Sequence, residues 1–182
     1  MNQRWQFFRT AVKSFRSTGA IASSSPALIR KLVAPLPTDR PLRVLELGPG
    51  DGCVTRAILE RLHPDSQLVA FEINPAFIKL LGGIADGRFS VLPVGAERLT
   101  DYFVEDSVDY VVSSLPLSMI PKEVKAEILG QAQRVLRPEG QFLQYQYALQ
   151  DYSLLKDTFE RVSVSFTLGN LPPAFIYSCF CY

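Results

Sequence analysis

The stretch that decides the fold is Val44-Leu45-Glu46-Leu47-Gly48-Pro49-Gly50-Asp51-Gly52. It completes a short apolar run, Leu42–Leu47, that predicts a buried strand, and it leads into Cys53–Leu62, whose apolar spacing predicts a helix. Glycines between a strand and a helix allow a tight turn and a close approach of the backbone to a ligand. The N–H groups at the start of the helix can hold a carboxylate. The stretch therefore predicts an α/β protein with a ligand-binding loop.

Strands and helices alternate on both sides of this loop. The predicted strands are Leu42–Leu47, Gln67–Glu72, Phe89–Val94, Val108–Ser113, Gln141–Tyr147, Val162–Leu168 and Ala174–Cys181. The predicted helices are Pro26 to about Val33, Cys53–Leu62, Pro75–Leu81, Pro121–Leu136 and Asp151–Phe159. Such alternation indicates a largely parallel sheet. The last two strands have no helix between them, so we expect an antiparallel hairpin at the sheet edge.

Charge is distributed unevenly along the 182 residues. Residues 1–38 hold six basic residues and no acidic one, whereas the rest holds 13 basic and 18 acidic residues. A basic front end on an acidic body indicates an anionic partner, for which nucleic acid and anionic lipid both qualify. Large apolar residues near the start recur at near-helical spacing beside basic ones, which predicts a basic amphipathic helix. The residues expected to meet an anionic membrane are Arg4, Trp5, Phe8, Arg9, Lys13, Phe15 and Arg16.

These patterns predict a division of the chain into two parts. Residues 1–38 are expected to form a helical segment that binds membrane or covers the site as a lid, and residues 39–182 the ligand-binding domain. No apolar run is long enough to span a bilayer, and the first 20 residues do not resemble a signal peptide. We expect a cytoplasmic protein that is peripheral on the inner face of the membrane. The three cysteines form no zinc-like set and are interpreted as small buried thiols, and no metal is expected.

The spacing of the residues around the loop narrows the class of ligand that it can bind. The glycines follow a Gly-x-Gly-x-Gly pattern after Glu46, and Cys53 occupies the position of the third glycine of the dinucleotide fingerprint. Glu72 ends the second predicted strand, where a carboxylate can accept both hydroxyls of a ribose. Ligands of open α/β sheets bind at the carboxyl ends of the strands, so Ser114–Leu117, after the fourth strand, should lie beside the glycines. Pro116 lacks an N–H donor, which would leave the preceding carbonyls free to accept from an amine.

The loop, together with Glu72, Ala96 and Glu97, resembles the cofactor motifs of class I methyltransferases. The resemblance implies S-adenosylmethionine as cofactor and S-adenosylhomocysteine as product. It also implies a Rossmann-like, seven-stranded, mostly parallel sheet with an antiparallel final hairpin, preceded by the N-terminal amphipathic helix. The cofactor-binding residues that it implies are Glu46, Gly48, Pro49, Gly50, Gly52, Glu72, Ile73, Ala96, Glu97 and Ser113.

A narrower resemblance is to bacterial phospholipid N-methyltransferases. It is carried by FRSTGAIASSSP (15–26), SSLP (113–116), GQFLQYQY (140–147) and NLPPA (170–174), with Ser23 where the family usually has proline. It implies N-methylation of phosphatidylethanolamine towards phosphatidylcholine at the membrane surface, with ornithine lipid as an alternative acceptor. Ser114, Leu115, Pro116, Tyr145 and Tyr147 are then the expected catalytic residues, with the tyrosine rings either holding methylated ammonium or packing at the sheet edge.

Ribosomal RNA adenine dimethylases are the nearest competing family. They carry an Asn-Leu-Pro-aromatic motif after the fourth strand, and the matching residues here are Ser114, Leu115, Pro116 and Leu117. The asparagine that would bind the adenine amino group and the aromatic ring that would stack on the base are both absent. A nucleic acid acceptor is therefore disfavoured. A third reading, a membrane-binding module without activity, conflicts with the intact glycines and Glu72.

Overall fold

The structure is a computed structural model that describes residues 24–181. The predicted basic amphipathic helix, with its proposed membrane-binding residues 4–16, lies outside the described residues. Every helix within residues 24–181 is too short or too polar to cross a membrane.

Seven strands form one sheet in the order β3-β2-β1-β4-β5-β7-β6. Their bounds are β1 Arg43–Leu47, β2 Gln67–Phe71, β3 Phe89–Leu92, β4 Val108–Ser113, β5 Leu136–Gln146, β6 Arg161–Thr167 and β7 Ala174–Phe180. The first five strands pair in parallel, and β7 pairs antiparallel with both β5 and β6. The α/β fold that the sequence predicts, with a mostly parallel seven-stranded sheet and a final antiparallel hairpin, is confirmed.

The helices are α1 Pro26–Val33, α2 Cys53–Arg61, α3 Pro75–Leu81, α4 Lys122–Val135 and α5 Tyr152–Thr158. Side-chain caps fix the starts of two of them. Ser25 Oγ accepts a hydrogen bond from the Leu28 N–H of α1 at 3.1 Å, and Asn74 Oδ1 accepts one from Ala76 of α3 at 3.0 Å. Proline follows each cap at the first helical position, where its missing N–H removes no helical hydrogen bond.

Both faces of the central strands are covered, as their continuous apolar sequences require. One face, with Val44 and Leu143, packs against Leu28 and Leu32 of α1 and against Ile58 of α2. The other face packs mainly against α4 and α5, and its largest ring contact stacks Phe142 on Phe159 at 5.3 Å between centroids. Because α1 belongs to this core, residues 26–33 are part of the packed domain. The predicted division of the chain into residues 1–38 and 39–182 stays a prediction.

Three local elements differ from the sequence-based expectation. Strand β5 begins at Leu136 rather than at residue 141, because α4 passes directly into it without a connecting loop. A register shift against β4, between Val108 and Tyr110, absorbs the irregular start. Short 3-10 helices at Ala96–Asp101 and Leu117–Met119 follow β3 and β4, and neither has enough length for a periodic sequence signal.

Candidate active site

The glycine loop lies at the carboxyl end of β1, the central strand of the parallel part of the sheet. Gly48, Gly50 and Gly52 have φ angles of 66°, 60° and 81°, in the left-handed region that residues with a Cβ rarely adopt. The Gly48 N–H donates to the Phe71 carbonyl of β2 at 3.0 Å. The Ser114 N–H, just after β4, donates to the Leu47 carbonyl at 2.9 Å. These bonds hold the carboxyl ends of β1, β2 and β4 together at one edge of the sheet. This is the edge at which open α/β sheets bind their ligands.

Glu72 ties this loop to the end of β2. Its carboxylate is almost fully buried and accepts from the Gly50 N–H at 3.2 Å and from the N–H groups of Ile73 and Asn74, both at 2.9 Å. A carboxylate held by several backbone donors keeps a single orientation. Glu72 therefore fixes the shape of the glycine loop, a structural role that the sequence analysis did not foresee.

Glu46 points from β1 towards helix α2 and has no exposed surface. The Thr55 hydroxyl donates to its Oε2 at 2.6 Å, a contact that positions the first turn of α2 relative to β1. A buried carboxylate needs such partners because its desolvation is costly. The sequence analysis missed Thr55, although a hydroxyl in the first turn of the helix after a buried acid was a usable signal.

The predicted residues after β3 and β4 lie on the same edge of the sheet. Ala96 is buried against the apolar core. The Glu97 side chain folds over Gly95, since a Cβ at residue 95 would meet Glu97 Oε2 at 2.0 Å. Ser113 is fully buried at the end of β4, and its Oγ accepts from the Leu115 N–H at 3.3 Å. All ten predicted cofactor residues are thus gathered around the carboxyl ends of β1 to β4.

The predicted role of the Leu115 carbonyl is not supported by its contacts. It accepts from the Leu117 N–H at 2.9 Å, from Gln144 Nε2 at 3.0 Å and from Gln146 Nε2 at 3.5 Å. Pro116 has no N–H to donate, as expected, but side-chain donors of β5 bond the Leu115 carbonyl instead. The carbonyl is therefore not free to orient an amine.

Gln144 and Gln146 are functional candidates that the sequence analysis quoted but did not single out. They alternate with the tyrosines along β5, and both glutamines are buried. Gln144 Nε2 also donates to the Tyr145 carbonyl at 2.7 Å, whereas Gln144 Oε1 has no hydrogen-bond partner among the described residues. Buried polar atoms are nearly always paired. Two glutamines at alternate positions of the otherwise apolar stretch 142–146 were the signal that could have found them.

Tyr145 and Tyr147 share the opposite face of β5, as their spacing predicts. Their rings lie 6.0 Å apart at 75°, edge to face. The Ser24 hydroxyl donates to the Tyr145 hydroxyl at 3.0 Å, so the tyrosines meet the start of the described chain. The structure therefore places the tyrosines and the Leu115 carbonyl, two parts of one predicted acceptor site, on different faces of β5.

The loop between β6 and β7 joins the same corner. Asn170 is buried, its Oδ1 accepts from the Ser25 N–H at 2.8 Å, and its Nδ2 donates to the Pro172 carbonyl at 2.8 Å. Ser25 Oγ donates to the Gly169 carbonyl at 2.6 Å. Three segments that carried the narrower resemblance, around residues 24–26, 145–147 and 170–174, are therefore neighbours in space.

Comparison with known proteins identifies the family. Residues 44–140, more than half of the chain, match the family described as a methyltransferase domain. An ornithine lipid N-methyltransferase of Singulisphaera acidiphila is 35% identical over 182 residues, with 95% of each chain covered. The chain is a class I S-adenosylmethionine-dependent methyltransferase. S-adenosylmethionine is accordingly the methyl donor of this enzyme, as the resemblance of the loop implies.

Two further similarities agree with this methyltransferase assignment. The ubiquinone/menaquinone biosynthesis C-methyltransferase UbiE of Pseudomonas paraeruginosa is 28% identical over 128 residues, which cover 68% of this chain and 48% of that protein. The structure of Burkholderia thailandensis 1,6-didemethyltoxoflavin-N1-methyltransferase, solved with its substrate and S-adenosylhomocysteine, superimposes with a TM-score of 0.76. It covers 100% of this chain and 90% of that one at 16% identity, a likeness in fold.

The left-handed turn at Gly52 supports a first prediction. An alanine there must adopt a φ of 81°, which costs roughly 1–2 kcal/mol for a residue with a Cβ. Its Cβ would also lie 3.0 Å from Arg56 Nη1 and 3.1 Å from Leu81 Cδ2. We expect Gly52→Ala to weaken S-adenosylmethionine binding at least about tenfold in isothermal titration, because the loop must shift.

The matched control is Gly130→Ala in α4. A Cβ at Gly130 meets nothing within 4 Å, so this variant should bind the cofactor normally and gain up to about 1 kcal/mol of helix stability. Equal cofactor affinity in the two variants would contradict the structural role assigned to Gly52.

The cysteines provide a second prediction. Burial, followed by the neighbouring Asp51 carboxylate, raises the pKa of the Cys53 thiol to about 12, and burial raises the pKa of Cys181 to about 11. Burial also raises the pKa of Cys179. Only the thiolate reacts, so each raised pKa moves reactivity to higher pH. Iodoacetamide should label the folded protein at pH 8 at least about a hundredfold more slowly than the unfolded chain. Rapid labelling of any one thiol in the folded protein would contradict this expectation.

Proposed function

We propose that this methyltransferase N-methylates the headgroup amine of a membrane lipid, and that ornithine lipid is the favoured acceptor. The 35% identity to an ornithine lipid N-methyltransferase supports it most directly, because that similarity covers 95% of both chains. It therefore extends well beyond residues 44–140, the part matched by the general methyltransferase family. The flanking segments, around Ser24 and Asn170, are those that meet at the carboxyl edge beside Tyr145.

Phosphatidylethanolamine, which the sequence analysis preferred, becomes the second candidate. The relative's name supports the ornithine lipid alternative better, while the same chemistry, attack by a primary amine, serves both acceptors.

An RNA acceptor is disfavoured by charge. The segments 114–121, 147–150 and 168–173, which follow β4, β5 and β6 at the carboxyl edge, contain no lysine or arginine to neutralise phosphates.

The residues around the glycine loop fit S-adenosylmethionine. The loop amides at Gly48, Gly50 and Gly52 can hold its carboxylate, with Pro49 shaping the turn. We assign the ribose to Glu72 and Ile73, and the adenine to Ala96 and Glu97. Glu46 and Ser113 support the loop from β1 and β4. When bound, the cofactor supplies a methyl group on a sulfonium, and the protein's contribution is to hold the two reactants in line.

The acceptor amine must be neutral when it attacks the methyl carbon. The N–C bond forms as the C–S bond breaks, the bonding electrons go to sulfur, and the nitrogen then loses a proton to solvent. A partly dry site assists because it disfavours the ammonium form. Since the Leu115 carbonyl is occupied, we assign the orientation of the amine N–H to Gln144 Oε1, a buried acceptor for which residues 24–181 supply no donor. Tyr145 and Tyr147 lie on the opposite face of β5, so we assign their rings to packing at the sheet edge, beside Ser24, rather than to the ammonium.

Gln144→Met tests this assignment. The thioether keeps the volume of the side chain but removes the acceptor, so kcat should fall about five- to tenfold, the equivalent of one hydrogen bond of roughly 1 kcal/mol. Cofactor affinity should change little, whereas the thermal midpoint should fall, because methionine also removes the Nε2 bonds to the Leu115 and Tyr145 carbonyls. The matched control is Gln141→Met, three residues earlier on the same strand and only partly buried. A normal kcat in Gln144→Met would exclude the oxygen from the reaction.

The function itself is tested with radiolabelled S-adenosylmethionine. The full chain is incubated with phosphatidylglycerol vesicles that contain either ornithine lipid or phosphatidylethanolamine, and with RNA in a parallel reaction. Thin-layer chromatography should show label in methylated ornithine lipid, and the Gly52→Ala variant should show far less. Label confined to phosphatidylethanolamine would make that lipid the acceptor. Label in neither lipid, with cofactor binding intact, would refute lipid methylation.

A further inference from the structure

The carboxyl edge of the sheet carries an uncharged rim. We use this name for three loops, residues 114–121 after β4, 147–150 after β5 and 168–173 after β6. None contains Asp, Glu, Lys or Arg, although these residues make up 20% of the chain. The connections at the opposite edge all carry charge, with Asp39 and Arg40 before β1, Asp65 before β2, Asp86 and Arg88 before β3, Glu105 and Asp106 before β4, and Glu160 before β6. The part of the carboxyl edge that follows β4, β5 and β6 is therefore easier to remove from water than the opposite edge, whereas the loops after β1 to β3 carry charge.

Large apolar side chains stand exposed on the same rim. Leu171 and Leu168 are 87% and 77% exposed, and they are joined by Leu149, Tyr147 and Met119 at 37–49%. Scattered exposed apolar residues are ordinary, but a cluster on neighbouring loops marks an interaction surface. Because β4, β5, β7 and β6 are consecutive in the sheet, the three loops form one continuous border beside the proposed acceptor site.

The tip of the β6–β7 hairpin holds its leucines outward. Asn170, between them in sequence, turns inward and is buried by its bonds to Ser25 and Pro172. Ser25 Oγ also bonds the Gly169 carbonyl, and Thr167 Oγ1 accepts from the Gly169 N–H at 3.2 Å. A mobile loop could fold its leucines against the protein, whereas this one is fixed with the polar side chain in and the apolar ones out. These hydrogen bonds keep the leucine side chains exposed, although the hydrophobic effect alone would favour their burial.

Positive charge flanks this tip. Lys31 of α1 donates from its Nζ to the Phe166 carbonyl of β6 at 2.6 Å, and Arg30 beside it is exposed. Residues 1–23, which lie outside the described residues, add four basic side chains and no acidic one to the sequence before α1. Apolar side chains bordered by lysine and arginine suit the surface of an anionic bilayer.

We propose that the uncharged rim lies against the lipid bilayer, with Leu168 and Leu171 immersed below the headgroups. This inference rests on the proposed function and adds to it the orientation of the enzyme. The carboxyl edge faces the membrane, so the headgroup amine reaches Gln144 without the lipid leaving the bilayer. The rim also excludes water from the amine at the point where its neutral form is needed.

The test compares the full chain with a Leu168→Ser, Leu171→Ser double variant. Binding is measured by sedimentation with vesicles of phosphatidylglycerol and phosphatidylcholine, which contain no acceptor amine, so the readout does not depend on lipid methylation. Loss of two immersed leucines should weaken vesicle binding at least about tenfold. Both side chains are exposed, so the fold and the affinity for S-adenosylmethionine should be unchanged.

Val104→Ser is the matched control, because Val104 is 75% exposed but lies before β4 at the charged edge. It should bind vesicles like the wild type, and the double variant should methylate a monomeric short-chain ornithine lipid at the normal rate. Normal vesicle binding by the double variant, or an equal loss in Val104→Ser, would overturn the proposal. A wild-type dimer that the double variant dissociates, seen by sedimentation velocity, would also overturn it and make the rim a self-association surface.

Discussion

The left-handed turn that follows β1 is the constraint on which the rest of the site depends. Its backbone must pass within hydrogen-bond distance of β2 through Gly48 and of the Glu72 carboxylate through Gly50. Only residues without a Cβ take these φ angles at little cost. Because β1 is the central parallel strand, any movement of this turn is transmitted to the ends of β2 and β4. The same contacts that close the fold therefore shape the cofactor site.

The acidic residues around this turn have structural roles in addition to the binding roles that we propose for them. Glu46 accepts a hydrogen bond from Thr55 of α2. Glu72 accepts hydrogen bonds from the backbone of the glycine loop and from the backbone just after β2. A preorganised carboxylate has little reorganisation left when a ligand arrives, which favours tight and specific binding. Because each acid also holds the fold, replacing it would change the structure as well as cofactor binding, and the measured affinity would not separate the two effects. The glycines and Gln144 are therefore more informative sites for mutation.

The antiparallel insertion of β7 between β5 and β6 builds the corner of the molecule to which we assign the acceptor. It brings the β6–β7 loop to the carboxyl edge, where Asn170 meets Ser25 and Tyr145 meets Ser24. Residues more than 100 positions apart in sequence thus form one corner. Within that corner, buried polar contacts fix the loops, and apolar side chains are presented to the outside. The lipid-facing surface that we propose rests on this division, in a domain whose helices within residues 24–181 are all too short or too polar to span a bilayer.

The sequence by itself determined the elements and their order, since apolar periodicity, helix caps such as Ser25 and Asn74, and the glycine turn are local properties of the chain. It also predicted that the proposed cofactor residues share one edge of the sheet, because parallel strands end at one edge. The tertiary structure decided which polar atoms are free. The Leu115 carbonyl is bonded by Gln144, 29 residues away, and no local pattern records that pairing. Likewise, Leu168 and Leu171 are exposed because Asn170 is anchored to Ser25, a contact across 145 residues that exists only once the sheet has formed.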